Sequence, residues 1–236
     1  LQVLRGFPAL VESLAISADG RRLAVGLGRG GLRVIELPSG RELAADAEYG
    51  ERVSFADFSR DGLLATTSAD GCLRLYDAQH RLVFRAEYPP PADRTEQCRG
   101  APLGGVRFSP DGTQLAFGQQ ERAEIVLMDA TRRTLLARLA VDDPLQRSLC
   151  CPNWSADGRR LHMHGAHGGD GPTPLWRVDL GAGGGGAGIE RLPVGRQRFT
   201  NGLPLPDGGL VFSTDAPRPA RIAAHRRLRA ARIATP

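Results

Sequence analysis

The sequence predicts an all-β fold, a β-propeller of four-stranded antiparallel blades, and three observations carry that expectation. A short turn phrase recurs five times: "ISADG" (16–20), "FSRDG" (58–62), "FSPDG" (108–112), "WSADG" (154–158) and "LPDG" (205–208). Its closing glycines, Gly20, Gly62, Gly112, Gly158 and Gly208, lie 42, 50, 46 and 50 residues apart. A period in the forties is that of propeller blades. Between the turns come short alternating or apolar runs, with a turn cluster about every ten residues, which favours strands over helices.

The turn repeats for a chemical reason. A type I turn favours Ser or Asp at its first position, Pro at its second and Gly at its fourth. "SPDG" (109–112) fills all of these. The other copies relax Pro to Ala18, Arg60 and Ala156 but keep Gly where positive φ is expected.

The elements follow in order. The first strand of each blade precedes the turn: "SLAIS" (13–17), "VSFADFS" (53–59), "GVRFS" (105–109) and "CPNWS" (151–155). The second follows it: "LAVG" (23–26), "LATTS" (64–68), "LAFG" (115–118), "LHMH" (161–164) and "LVFS" (210–213). The third reads "LRVIEL" (32–37), "CLRLYD" (72–77), "EIVLMD" (124–129), "PLWRVDL" (174–180) and "ARIAAH" (220–225). The fourth is looser: "RELAADA" (41–47), "RLVFRAEY" (81–88), "TLLARLAV" (134–141) and "GIERLPV" (188–194). "LQVLRG" (1–6) reads as one more strand, either the last of an earlier blade or the one that closes the ring. About five blades are recognisable. They fit a five-bladed ring or a piece of a seven-bladed one, and the exposed edges an open ring would leave favour the second.

The cycle "GVRFSPDGTQLAFG … EIVLMDATRRTLL" resembles the WD-repeat propellers, and "SADGCLRLYDAQHRLV" (68–83) is the nearest copy, with Tyr76-Asp77 where that family has Trp-Asp. "CPNWSADGRRL" (151–161) is similar to blades of the TolB-type propellers. The likeness covers nearly the whole chain at blade level. It departs from the family pattern in having no Gly-His dipeptide before a blade and in carrying "IE", "YD", "MD" and "VD" in place of Trp-Asp. Such degenerate blades resemble those of bacterial WD-repeat proteins. The resemblance implies a non-catalytic platform for a protein or peptide partner, one module of a larger signalling or effector protein.

Composition narrows the alternatives. The 236 residues are enough for one large domain with a proper core, and we read 1–236 as a single propeller domain or piece of one. No apolar run approaches the roughly 20 residues that span a bilayer. The net charge of +5 divides unevenly. All 31 basic residues are Arg, and six of them lie in the basic C-terminal segment 218–236, where there is no acid. The rest is close to neutral, and aromatic residues are sparse, so nucleic acid is not the expected partner. Cys72, Cys98, Cys150 and Cys151 have no C-x-x-C spacing. Cys150 and Cys151 are adjacent, and neighbours on an extended segment point to opposite sides, so no bridge is expected between them. The compartment stays open, with the cytoplasm favoured, because the chain begins at Leu1 and a targeting segment could be missing.

The candidate chemistry is sparse. In "HMHGAHGGD" (162–170), His162 and His164 share one side of a strand, and His167 and Asp170 follow in the next loop. Imidazoles so placed suit zinc or a similar metal. The same strand places in other blades hold Ala24 and Gly26, or Ala116 and Gly118, which suits close packing instead. No metal or cofactor is therefore assigned, and these four residues are the candidates for a metal- or small-molecule-binding alternative. Ser17, Ser59, Ser109 and Ser155 sit inside the turns, outside any nucleophile elbow. Glu36, Asp77, Asp129 and Asp179 end third strands, where carboxylates accept hydrogen bonds from the next turn. "GAGGGGAG" (181–188) reads as a flexible link between strands. Binding is expected on the loops 88–104, 140–150 and 165–174, since loops on a rigid scaffold carry specificity.

Overall fold

The computed structural model describes residues 3–87, 102–119, 122–143, 146–167, 173–181, 186–192, 199–204, 210–214, 222–224 and 229–231. Four antiparallel four-stranded sheets follow one another along the chain. Blade 1 is β1 (Val11–Ile16), β2 (Arg22–Leu27), β3 (Leu32–Glu36) and β4 (Glu42–Asp46). Blade 2 is β5 (Val53–Phe58), β6 (Leu64–Ser68), β7 (Cys72–Tyr76) and β8 (Leu82–Glu87). Blade 3 is β9 (Leu103–Phe108), β10 (Gln114–Gln119), β11 (Glu124–Asp129) and β12 (Thr134–Ala140). Blade 4 is β13 (Gln146–Trp154), β14 (Arg160–His167), β15 (Leu175–Leu180) and β16 (Gly186–Arg191). The fifth cycle comes as two strand pairs, β17 (Phe199–Pro204) with β18 (Leu210–Thr214) and β19 (Ile222–Ala224) with β20 (Arg229–Ala231), β18 lying beside β19. The turn "LPDG" and most of 218–236 lie outside the described residues.

The propeller fold is thus as the period implied. First strands pack on one another in succession, β5 on β1, β9 on β5, β13 on β9 and β17 on β13, so they are the innermost. Fourth strands are outermost and largely exposed, as in β12. The segment expected to be a strand at 1–6 is not one where it is described. Gly6 takes φ 85°, and Leu4, Phe7 and Ala9 pack instead on Val25, Leu27 and Ile35 of blade 1.

The turns are built as their chemistry requires. Gly20, Gly62, Gly112 and Gly158 have φ of 69°, 87°, 77° and 69°. Each donates its amide back to the serine carbonyl three residues earlier, at 2.8–3.1 Å. The Ser17, Ser109 and Ser155 hydroxyls donate to Asp19, Asp111 and Asp157 and accept the amide five residues on. They are turn residues. Asp77 accepts the amides of Gln79 and Arg81, and Asp129 those of Thr131 and Arg132. Asp179 differs: it pairs with Arg160 across the sheet at 2.9 Å.

The core lies between blades. Ala24 and Val34 of blade 1 meet Phe58 and Leu64 of blade 2. Leu73 and Leu75 meet Val106 and Phe117. Ile125 and Leu127 meet Leu149, Trp154 and Leu161. Each buried Val, Leu, Ile or Phe among these contributes about 1.5–3 kcal/mol. Close approach is possible because β2 and β10 each carry a glycine, Gly26 and Gly118, one residue before their ends. A Cβ on Gly26 would press on Val53, and one on Gly118 would overlap the Leu149 carbonyl.

Blade 2 also holds a buried polar network. Arg74 is 1% exposed in an otherwise apolar strand. It pairs with Asp70 at 2.8 Å, donates to Ser68 Oγ and the Glu48 carbonyl, and lies 4.0 Å from the Tyr49 ring centroid. The Tyr49 hydroxyl bonds Thr66 and Tyr76, and Tyr76 donates to Asp46 of blade 1 at 2.6 Å. Burial pushes the Tyr49 phenol up to about 12. Every polar group in this cluster has a partner, which is what makes its burial tolerable.

Candidate functional site

Phe55, Gly105, Val106, Arg107, Cys151, Pro152 and Asn153 line an open cavity of about 330 Å³ between the innermost strands of blades 2, 3 and 4. Period-two alternation turns Phe55 and Arg107 out of their own sheets. Arg107, with 47% of its side chain exposed, pairs with Asp57 at 3.0 Å. Asp57 also accepts the Phe108 amide at 2.8 Å, so one carboxylate of blade 2 anchors the edge of blade 3. Burial pushes the Asp57 carboxyl up, while Arg107 and the Phe108 amide oppose it. From blade 4, Trp154 donates its indole N–H to the Arg107 carbonyl at 3.1 Å. The wall therefore presents an aromatic ring, a fixed guanidinium and an amide on a rigid frame.

Beside this wall stands a group that the sequence reading did not assemble. Cys150, Cys151 and His164 place their ligand atoms within 4.8 Å of one another, and each is half-buried. Cys150 and His164 are directly opposite across β13 and β14. That brings in Cys150, but Cys151 should point the other way in a regular strand. It does not, because the register shifts between Cys150 and Asn153 and Cys151 takes φ 56°. Such a bulge re-aims a side chain. The two thiols are free and hydrogen-bonded to each other. The Cys151 thiol lowers the Cys150 pKa by that bond, and its own is raised in return. Burial lowers the His164 pKa and so favours the neutral imidazole.

The other candidates are dispersed. His162, 7% exposed, lies opposite Asn153 on one side and Arg177 on the other. The His167 backbone pairs with Gln146, and Asp170 lies outside the described residues. Among the described residues the structure groups His164 with the cysteine pair, which has no C-x-x-C spacing in the sequence. The bulge carried a weak signal, "GG" at 104–105 in the facing strand. A Cβ on Gly105 would overlap the Cys151 backbone.

Connections from fourth to first strands and from second to third strands leave one end of an antiparallel meander. Glu87 and Leu103, Ala140 and Gln146, and His167 and Leu175 are the strand ends that flank the three loops expected to bind. Most of 88–104, Cys98 included, and half of 165–174 lie outside the described residues. No helix among the described residues is long and apolar enough to cross a membrane.

Residues 47–77, which hold the Arg74 and Tyr49 network, match the family "WD domain, G-beta repeat". The chain is 27% identical over 161 residues to SEC12-like protein 1 of Arabidopsis thaliana. That match takes in 67% of this chain and 38% of the relative, so the chain spans well under half of the curated relative's length. Among solved structures it is similar to the Cps50 (Swd1) β-propeller domain of Myceliophteria thermophila, with TM-score 0.73 and 14% identity, over 97% of this chain and 74% of that one. It is also similar to the hydrazine synthase of Kuenenia stuttgartiensis, with TM-score 0.71 and 15% identity, over 96% and 66%. At these identities the structural likeness concerns the fold alone. The chain carries a WD repeat and folds as a β-propeller.

Proposed function

We propose that this propeller is a non-catalytic docking module that binds a peptide or protein segment on the wall formed by β5, β9 and β13, as one part of a larger signalling or effector protein. The observation that supports the reading is the cavity itself. It combines Phe55, Arg107 and Asn153 on the innermost strands of three blades, and a few convergent polar groups on an apolar wall are what fix a ligand's orientation. Aromatic and Arg side chains are also those that dominate protein interfaces. The docked segment would place an apolar side chain against Phe55 and a carboxylate near Arg107. WD propellers commonly serve as protein-binding platforms, which agrees with this reading.

Selection of peptides from a displayed random library on the purified chain tests it. Enriched peptides should pair an apolar with an acidic residue and should lose binding to Phe55→Ala and Arg107→Gln. Peptides that bind these two folded variants as well as the unaltered chain would place recognition elsewhere.

A further inference from the structure

Three soft or borderline donors meet on one patch of blade 4: two thiols and an imidazole, all within 4.8 Å. Thiolate and imidazole are the ligands that zinc and its chemical neighbours prefer. On zinc, bonds of about 2.3 Å to sulfur and 2.0 Å to nitrogen at tetrahedral angles set ligand atoms somewhat under 4 Å apart. The cluster needs only a modest contraction to reach that spacing. Its two sulfurs face each other because of the bulge at Cys151, which a regular strand would not provide. The facing strand accommodates the bulge through Gly105. Cys151 also lines the cavity between the inner strands, so the group borders open space. Three protein ligands with a remaining position are the usual plan of an open zinc site.

We propose that Cys150, Cys151 and His164 form a three-ligand site for a thiophilic divalent cation of the zinc type, with its fourth position left to water or a bound group. Binding deprotonates each thiol that coordinates and releases its proton to solvent, with no change of oxidation state. The site is independent of the docking reading and stands or falls on its own measurement.

Cobalt(II) is the probe, titrated into the untagged 236-residue chain after reduction and removal of metal. The expected result is one equivalent bound, with a charge-transfer band of two-thiolate intensity and the visible bands of tetrahedral cobalt, all displaced by zinc. Cys150→Ser and Cys151→Ser should each weaken binding at least about 100-fold, since even partners outside a ligand set cost 10–100-fold. His164→Gln should shift the visible bands. Cys72→Ser and His162→Gln should leave the spectrum unchanged. Circular dichroism on each variant separates lost ligation from lost fold, and the unaltered chain needs no variant to decide the matter. A folded, reduced chain that shows no thiolate-to-cobalt band overturns the proposal, as does a band that survives Cys151→Ser. So does a purified chain lighter by two hydrogens at this pair and free of metal, which would make the thiols a disulfide-forming pair instead.

Discussion

Arg74 and Asp70 form a closed ion pair inside blade 2, 2.8 Å from nitrogen to oxygen, with 1% and 9% of their side chains exposed. Removing one partner of such a pair strands the other charge away from water, whereas replacing both with apolar groups of similar size is far less harmful. Arg74→Ala should therefore cost about 3–5 kcal/mol in chemical denaturation. The double variant Asp70→Ala/Arg74→Met should recover a good part of that loss. Equal stabilities for the single and double variants would mean that the stranded Asp70 charge does not explain the cost.

The same pair gives a pH dependence. Burial alone would raise the Asp70 carboxyl, but hydrogen bonds from Arg74, Ser68 and the Cys72 amide, with the Arg74 charge, outweigh it and bring it to about 2. A carboxyl depressed in the folded state contributes stability that is complete above its unfolded value of 3.8 and is lost as pH falls toward 2. Urea midpoints measured from pH 5 down to pH 2.5 should fall, and Asp70→Asn should flatten the fall. Asp57, raised by burial, contributes with the opposite sign as pH rises through the carboxylate range. Asp57→Asn should therefore steepen the loss on acidification.

Gly105 should tolerate no side chain. Its Cβ would overlap the Cys151 backbone, and forced overpacking costs about 1–3 kcal/mol or more. Gly188, in β16, has nothing within 4 Å of an added Cβ, so Gly188→Ala should stay within about 0.5 kcal/mol. Thermal denaturation of the two alanine variants compares them directly, and equal effects would mean that β9 and β13 do not meet as described.

Trp154→Phe keeps most of the apolar contact between blades 3 and 4 but removes the indole N–H that reaches the Arg107 carbonyl. The expected loss is about 1 kcal/mol, that of one hydrogen bond. Amide exchange near Gly105 and Arg107 should quicken in the variant, and unchanged exchange there would show that this bond does not hold the wall.

Much of the fold was legible because each blade repeats one local rule. "SPDG" and its variants call for a Gly at positive φ, and strand β6 occupies the very residues, 64–68, that its pattern implied. The polar interior was less legible. Arg74 sits in "CLRLY", which reads as an alternating strand with a solvent-facing Arg. Only Asp70, Ser68 and Tyr49, brought in by the turn and the preceding connection, make its burial possible. The first six residues read as a strand by composition, yet Leu4 and Phe7 gain more by packing on blade 1. The two thiols are free, as expected, but their closeness was not legible for one reason: strand alternation separates neighbours, and a bulge cancels that rule. The wall of the cavity was not visible at all, since Phe55, Arg107 and Asn153 come from three blades and no local pattern links them.

Docking on the wall between blades 2, 3 and 4 is tested most directly by calorimetric titration of one selected peptide into the unaltered chain, Phe55→Ala, and Leu135→Ser on the exposed outer strand β12. Phe55→Ala should raise Kd by about tenfold or more, the effect of losing roughly 1.4 kcal/mol at a buried aromatic contact, while Leu135→Ser leaves it unchanged. A Kd the same for Phe55→Ala as for the unaltered chain would contradict recognition at this wall.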